Sequence, residues 1–470
     1  MPGYASWKQL YKEEYFQMKE EGFDLSGIAT PEDMLFKLPV PMQAEDAGVT
    51  PDNERCWKQA YEELFSRYAQ GPTADFPYRE PVAYEDILPE LEDPPAIGEA
   101  VRGEAYRQRV KGAFHGRCAA VALGKPLEMG MNREEITRYL KSVDAYPLHD
   151  YVPACSPELG ITLREDCLPS TRGNVRYMQQ DDDIHYTLLA LNLAEQKGTG
   201  FAPEDVGQNW LDNVPYHWFW CASRQAYYHM VNLTDDQDRA AQIAKIPTSL
   251  NPWRECIDGQ IRCDLWGYIC PGDPRAAAEI AYRDCAFSLT KNGCYGGMFV
   301  AGCIAAALTH RPDVHSILAG GLACIPSKSR LYEAVRQVMD WYSADRDWVR
   351  TCQRIEQAYG HLPFAATINN LSMVTLALLE GNLDYTRTIT TAVMCGIDTD
   401  CNAGTAGSIV GAAIGIGGID ARWTEPLHDT IHSAVAAFGT CSISEIEARI
   451  CALGEARAAR ENQLIHPRKV

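Results

Sequence analysis

The chain has 470 residues, 46% of them apolar, which is enough for one large domain or two to three ordinary ones with a sizeable core. Its 43 Lys and Arg against 63 Asp and Glu give a formal net charge of -20, which disfavours non-specific binding to nucleic acids or anionic lipids. The 17 cysteines are an odd number, and no apolar signal-like run follows the first residues, so we expect a reducing, cytoplasmic location without a disulfide framework.

The first part of the chain, residues 1–105, is unusually rich in proline and acidic residues. Prolines break helices into short pieces. Two helical patches are predicted between them, at residues 7–21 and 52–68, from apolar residues at helical spacing. We expect this segment to be an extension that wraps a larger domain covering residues 106–470.

From about residue 106 onward, apolar residues recur at spacings of three and four, with short Gly or Pro interruptions and hardly any alternation. This pattern predicts an all-α fold. Ala and Gly dominate residues 302–308 and 404–418, which indicates closely packed inner helices. The stretch 403–419 contains six glycines and is too short to span a bilayer, so no membrane span is predicted.

One acidic feature is the triplet Asp181, Asp182 and Asp183, directly before an apolar helical stretch. Acidic residues at a helix start commonly accept hydrogen bonds from its free N–H groups. Three adjacent carboxylates exceed what one helix cap needs, and a hard dication such as Mg²⁺ prefers oxygen ligands of this kind. The triplet alone is compatible with a helix cap and with a metal site.

A second feature is the pair Asp398 and Asp400, just before the Gly-rich helix. A calcium loop is excluded, because Ala403 and Ile409 stand where that loop needs Gly and Glu. Carboxylates buried between apolar helices need a counterion. On its own the pair is equally compatible with a capped turn and with a metal site.

A third feature is a small-residue helix that is expected to stop at Gly124 and Pro126, followed by Glu128. The Gly124-Lys125 pair is not a phosphate-binding loop, because Ala119 stands in place of its leading Gly and Pro126 in place of its Ser or Thr. Taken alone, Glu128 is typical of an exposed loop residue.

Together these three segments resemble the ADP-ribosylglycohydrolase family. That family has a glycine-spaced helix ending in a Gly-x-Pro-x-Glu element, to which Gly124, Pro126 and Glu128 are similar. Its Thr-Asp-Asp-Thr run resembles residues 181–184, and its Gly-Gly-Asp-Thr-Asp-Thr run resembles residues 396–401. The similarity extends from about residue 112 to 440 in the family's order, which is more specific than any single motif.

The resemblance implies an all-α, orthogonal multi-helix hydrolase that uses two Mg²⁺ ions, or Mn²⁺, to cleave the glycosidic bond of an ADP-ribosylated protein, nucleic acid or small molecule. It implies that Glu128 and Asp182 are catalytic. The implied metal ligands are Asp181, Asp182, Asp183, Asp398 and Asp400. Arg262 is a candidate for binding the pyrophosphate of the substrate. Asn292, Gly293 and Tyr295 are candidates for a loop near the pocket, although their run is also typical of an ordinary helix connection.

An aromatic run at residues 216–228 could stack on adenine, although so dense a run is more typical of a core.

The chain also departs from the family's pattern at Val121, Asp181, Ile184, Lys291, Ile397 and Cys401, where the family commonly has Asp, Thr, Thr, His, Gly and Thr. These changes spare the Asp pairs but alter the neutral groups around them.

Two other hypotheses remain open. One is a module that binds ADP-ribose without turnover. The other is a redox di-metal helix bundle, which needs two Glu-x-x-His pairs, whereas Glu425 and His428 form one that Pro426 interrupts. The oligomeric state has no signature in the sequence.

Overall fold

The computed structural model describes residues 3, 5–39, 50–128, 131–234 and 237–465. Throughout these ranges the chain is mostly helical, so the predicted all-α fold is confirmed. Among the residues described, every helix is too short or too polar to cross a lipid bilayer.

The N-terminal extension has a small apolar core of its own. Its helices are α1 (Trp7–Glu20), α2 (Pro31–Lys37), α3 (Pro51–Phe65) and α4 (Tyr84–Ile87). Both predicted helical patches are present, as α1 and α3, and they pack together through Leu10, Trp57 and Leu64. Thr50 caps α3 by accepting a hydrogen bond from the Asn53 backbone N–H. The division of the chain near residue 105 stays a prediction.

The rest of the chain forms one large apolar core. Its helices are α5 (Gly103–Gly124), α6 (Arg133–Ser142), α7 (Asp182–Lys197), α8 (Pro203–Asn213), α9 (Cys221–Val231), α10 (Arg239–Ile243), α11 (Asp258–Arg262), α12 (Asp264–Tyr268), α13 (Pro274–Cys285), α14 (Lys291–Ala307), α15 (Val314–Leu322), α16 (Arg330–Asp345), α17 (Trp348–Tyr359), α18 (Thr367–Gly381), α19 (Tyr385–Cys395), α20 (Thr399–Ile414), α21 (Ala421–Thr424) and α22 (Ile443–Ile465).

Short 3-10 helices and two small hairpins connect these elements. The 3-10 helices are Ser66–Gln70, Leu88–Glu90, Lys125–Leu127, Glu165–Ser170, Tyr216–Trp218, Ile416–Gly418 and Glu425–Leu427. Strand β1 (Cys155–Ser156) pairs antiparallel with β2 (Ile161–Thr162), and β3 (Thr430–His432) pairs antiparallel with β4 (Thr440–Ser442).

Helices α5 and α20 pack at the centre of the large core with their backbones in near contact. A methyl group added to Gly112 would lie 2.6 Å from the Gly411 carbonyl oxygen, and one added to Gly116 would lie 3.0 Å from the Gly407 carbonyl oxygen. Only glycine allows so close an approach of two helices. The predicted close packing of the Gly-rich helix is confirmed, and it fixes the distance between the ends of α5 and α20.

Replacing Gly124 with Ala is expected to lower the free energy of unfolding by about 1–3 kcal/mol, because the added methyl group would lie 2.5 Å from the Asp400 backbone. Gly417→Ala is a matched control, since no heavy atom lies within 4 Å of the added methyl group there. Chemical denaturation of both variants checks this expectation. Equal denaturation midpoints for the two variants would contradict tight packing at Gly124.

Candidate active site

The three segments singled out in the sequence meet at one end of the α5–α20 pair. Glu128 follows the 3-10 helix at the end of α5, while Asp181 and Asp398 are the N-cap residues of α7 and α20. The Thr399 hydroxyl donates a 2.8 Å hydrogen bond to the Gly124 carbonyl oxygen and thereby ties the start of α20 to the end of α5.

The carboxylates of these segments form three overlapping groups, in each of which the potential ligand atoms lie within 4.8 Å of one another. The groups are Asp181, Asp182 and Asp183; Glu128, Asp398 and Asp400; and Asp183, Asp400 and Cys401. The third group joins the other two. Acidic residues far apart in the sequence therefore converge on one centre.

The turn before α20 adopts an unusual backbone conformation. Gly396 has φ 79° and Ile397 has φ 61°, both in the left-handed region. Glycine adopts this conformation readily, whereas a β-branched residue does so rarely and at a cost. Ile397 stands where the sequence resemblance places a second glycine, so this chain has a β-branched residue at a position with positive φ. Such strain is concentrated at functional positions in proteins.

Both carboxylate oxygens of Asp181 are already engaged. One oxygen accepts a 3.0 Å hydrogen bond from the Asp183 backbone N–H, which caps α7. The other lies 2.5 Å from the Lys125 ammonium nitrogen, and that ammonium group is largely buried. Asp181 therefore serves as a helix cap and as an ion-pair partner at the edge of the acidic centre.

Other oxygens of the centre lack donors. Asp183 Oδ2, Asp398 Oδ1 and Asp400 Oδ1 are buried and accept no hydrogen bond from the residues that the structure describes. Leaving a buried carboxylate oxygen without a partner costs free energy. An oxygen-only set of this kind matches the ligand preference of a hard divalent cation, so the residues fit such a metal.

The electrostatics support the same conclusion. Burial and then the repulsion of Asp181 and Asp400 raise the pKa of Asp182 well above its ordinary value. Burial and then the repulsion of Asp400 and Asp181 raise the pKa of Glu128 to about 10. Burial and then the repulsion of Asp400 and Glu128 likewise raise the pKa of Asp398. The centre holds more carboxylates than its neighbouring cations neutralise.

A buried arginine forms an ion pair with one carboxylate of the acidic centre. The Arg117 guanidinium lies 2.9 Å from Asp183 and 2.6 Å from Asp264, and all three side chains are fully buried. It also donates to the Ile261 carbonyl oxygen. Arg117 thus links α5, α7 and α12. This residue lies outside the motifs singled out in the sequence. An arginine inside an Ala- and Gly-rich apolar helix nevertheless indicates a buried ion pair, because a charged side chain is rarely buried without a partner.

The acidic centre opens into a cavity of about 720 Å³. Lys125, Glu128, Asp181, Asp182 and Asp398 line it. Its aromatic lining residues are Tyr177, Trp218, Trp220, Phe364 and His432. Arg164, Asp166 and Asp258 also line it. A space of this size, lined by charged groups and by aromatic rings, is typical of a small-molecule site.

The aromatic run at residues 216–228 divides between the cavity and the core. Trp218 and Trp220 line the cavity, and Trp220 is 53% exposed. Phe219 is buried and stacks on Trp210 with ring centroids 4.9 Å apart. The rings of Tyr177 and His432 stack with centroids 3.9 Å apart. This pair is not identified from the sequence, because no local sequence pattern connects two residues so distant in the chain.

The structure does not bring Arg262 to the cavity. Its side chain is 1% exposed and forms an ion pair with Asp284 at 3.1 Å. It also donates to the Ser288 hydroxyl oxygen at 2.9 Å and lies over the Trp210 ring. Asp284 and Ser288 come from α13 and the residues just after it, and Trp210 comes from α8; together they hold the guanidinium group in the interior.

The start of α14 likewise faces the N-terminal extension. The Asn292 side-chain amide donates 2.8 Å hydrogen bonds to Glu80 and to Glu255, and the Tyr295 hydroxyl donates to the Pro81 carbonyl oxygen. A methyl group on Gly293 would lie 2.6 Å from the Arg254 carbonyl oxygen. Asn292 and Tyr295 therefore form a docking surface for the extension, and Gly293 packs against the large core, so the three residues are not a loop at the pocket.

Charged side chains complete this docking surface. Arg254 forms buried ion pairs with Glu14 at 2.8 Å and with Glu21 at 2.7 Å. Lys291, which stands where the related family commonly has His, lies 2.7 Å from Glu21. Arg330 forms an ion pair with Glu80 at 2.6 Å. The extension and the large core thus neutralise each other's buried charges.

Comparison with known proteins places the chain in a family. A solved structure described as "ADP-ribosylglycohydrolase-related protein complex" has a TM-score of 0.47 and 18% identity, covering 75% of this chain and 99% of that chain. A search among curated proteins returned no match. The family model described as ADP-ribosylglycohydrolase matches residues 102–459, which is most of the chain and includes all three acidic segments. The protein therefore belongs to the ADP-ribosylglycohydrolase family, whose members are in general metal-dependent hydrolases.

Proposed function

We propose that the protein is a Mg²⁺-dependent hydrolase that cleaves the glycosidic bond between ADP-ribose and a leaving group on a protein, nucleic acid or small molecule. The observation that carries this proposal is the set of buried carboxylate oxygens without donors among the described residues, contributed by separate segments and adjoining a cavity of about 720 Å³. Membership of the family supports hydrolysis in general.

In this proposal, Asp182, Asp183, Asp398 and Asp400 would hold two divalent cations, with Asp181 beside them. When bound, such ions supply Lewis acidity and align a water with the anomeric carbon of a ribose. The surrounding carboxylates stabilise the positive charge that grows on the ribose as the bond breaks. Glu128, which lines the cavity, can exchange a proton with the water or the leaving atom.

The rest of the substrate would lie along the cavity. Arg164 lines the cavity, and its side chain is 46% exposed, so it is better located for a pyrophosphate than the buried Arg262. Trp218, Trp220 and Tyr177 offer ring faces to a purine.

Turnover of a substrate panel tests the proposal. ADP-ribosylated arginine, ADP-ribosylated serine, ADP-ribosylated nucleosides and free ADP-ribosyl compounds are incubated with the metal-free protein, with and without added Mg²⁺, and released ADP-ribose is measured. We expect release of ADP-ribose from at least one compound, and only when Mg²⁺ is added. Tight binding of ADP-ribose with no release from any compound would favour the binding module instead.

Replacing Lys125 with Met is expected to strengthen Mg²⁺ binding. The change removes a cation 2.5 Å from Asp181 and frees one oxygen of that carboxylate. Titration calorimetry with Mg²⁺ compares this variant with Lys197→Met, which removes an exposed ion pair with Asp205. Weaker Mg²⁺ binding by Lys125→Met would contradict the idea that the Lys125 ammonium group competes with Mg²⁺ for the Asp181 carboxylate.

Three properties of the whole chain stay predictions: the cytoplasmic location, the lack of non-specific nucleic-acid binding and the role of residues 1–105 as a wrapping extension. The charge of -20 supports the second of these, because a strongly acidic surface repels phosphate backbones.

A further inference from the structure

A second group of potential metal ligands lies in the wall of the same cavity. It consists of Cys221, Cys256 and Asp258, whose ligand atoms all lie within 4.8 Å of one another. Cys221 and Asp258 line the cavity, whereas Cys256 is 5% exposed. Two sulfur atoms and one carboxylate therefore converge where a small ion could enter from the cavity.

Hydrogen bonds hold the carboxylate of this group in place. One oxygen of Asp258 accepts from the Ser223 backbone N–H at 2.8 Å and from the Ser223 hydroxyl at 2.6 Å. Arg262 in turn donates to the Ser223 hydroxyl oxygen at 3.3 Å. The other Asp258 oxygen accepts from the Cys256 thiol at 3.0 Å. Outer partners of this kind orient ligands in metal sites.

The backbone is strained at one member of the group. Cys221, the first residue of α9, has φ 42°, in the left-handed region that residues with side chains rarely adopt. A conformation of this kind costs free energy and persists where surrounding contacts enforce it, often at functional positions.

We propose that Cys221, Cys256 and Asp258 form a Zn²⁺ site, separate from the carboxylate-rich centre, whose groups contain one sulfur atom, that of Cys401. Zn²⁺ binds Cys sulfur and carboxylate oxygen in tetrahedral geometry, and three protein ligands leave a fourth position for a water or a ligand group in the cavity. Soft sulfur ligands select Zn²⁺ over Mg²⁺, whereas the carboxylate oxygens that dominate the acidic centre suit Mg²⁺. Binding releases the two thiol protons to solvent, because the thiolate is the ligand form.

This site does not depend on the proposed glycohydrolase activity, since its ligands are distinct from those of the acidic centre. It also gives Arg262 a role: through Ser223, Arg262 helps to position Asp258. A cation here would fix the positions of Cys221 and Asp258 in the cavity wall and offer one open coordination position to a substrate.

Titration of the full-length, metal-free protein with Co²⁺, a spectroscopic substitute for Zn²⁺, tests the proposal. We expect a thiolate-to-cobalt charge-transfer band in the near ultraviolet that saturates at one equivalent and disappears when Zn²⁺ is added. Cys221→Ser and Cys256→Ser each remove one of the two thiolate ligands, so each is expected to reduce the intensity of the band by about half or more and to weaken Zn²⁺ binding by about tenfold or more.

Two controls separate this site from its surroundings. Cys155→Ser alters an exposed cysteine outside the group and is expected to keep the band. Asp398→Asn alters the acidic centre and is also expected to keep the thiolate-to-cobalt band. Turnover and this band therefore report separately on the acidic centre and on the thiolate site. If the buried Cys256 variant does not fold, Cys221→Ser decides the question. A wild-type protein without the band, or a band unchanged in Cys221→Ser, would overturn the proposal.

Discussion

Replacing Asp400 with Asn is expected to lower kcat/KM for the best substrate of the panel by about 100-fold or more, and to remove a bound dication. Asp400 belongs both to the group with Glu128 and Asp398 and to the group with Asp183 and Cys401. One of its oxygens is buried without a donor among the described residues. The amide keeps the volume of the side chain but removes the charge that a cation needs.

Metal content per protein, measured by elemental analysis, and steady-state kinetics check this expectation together. Asp182→Asn is expected to behave in the same way, with helical content unchanged in both variants. Asp166→Asn is the matched control, because Asp166 lines the same cavity with a carboxylate that is 70% exposed. Wild-type metal content in the Asp400 and Asp182 variants would show that the ligands are assigned incorrectly.

Replacing Arg117 with Met is expected to destabilise the protein by about 3–5 kcal/mol. The change leaves the carboxylates of Asp183 and Asp264 buried without their shared cation, at 2.9 and 2.6 Å from its present nitrogens. Breaking a buried ion pair by removing one partner is far more costly than removing an exposed one.

Urea denaturation measures the change in the free energy of unfolding. Arg422→Met, which removes an exposed pair with Asp420, is the control and is expected to change the free energy of unfolding far less than Arg117→Met does. The double variant Arg117→Met with Asp264→Asn should recover part of the loss, because one of the two uncompensated charges is then gone. A cost for Arg117→Met no larger than that of the control would contradict the role of the buried guanidinium.

Much of the fold and of the acidic centre could be predicted from the sequence. The glycine spacing in α5 and α20 predicted close packing, since only glycine lets two helix backbones approach so nearly. The order of the three acidic segments along the chain predicted a common site through the family resemblance, and the structure brings Glu128, Asp183 and Asp400 into adjoining groups.

Other parts depend on tertiary partners that no local pattern encodes. Arg262 was expected near a substrate pyrophosphate, but Asp284 and Ser288 hold it in the interior. Asn292 and Tyr295 were expected near the pocket, whereas they contact the extension through Glu80 and Pro81. A polar side chain in a short motif can meet a ligand or another part of its own chain, and the spacing of residues does not distinguish the two.

The interlocked charges between the extension and the large core have a practical consequence. Arg254 and Lys291 lie against Glu14 and Glu21, with every one of these side chains at most 9% exposed. A fragment engineered to begin at residue 106 would keep both cations, lose both carboxylates, and expose to solvent the surface of the large core that the extension covers. Biochemical work on this protein should therefore start from the intact polypeptide, and residues 1–105 should be treated as part of the folding unit.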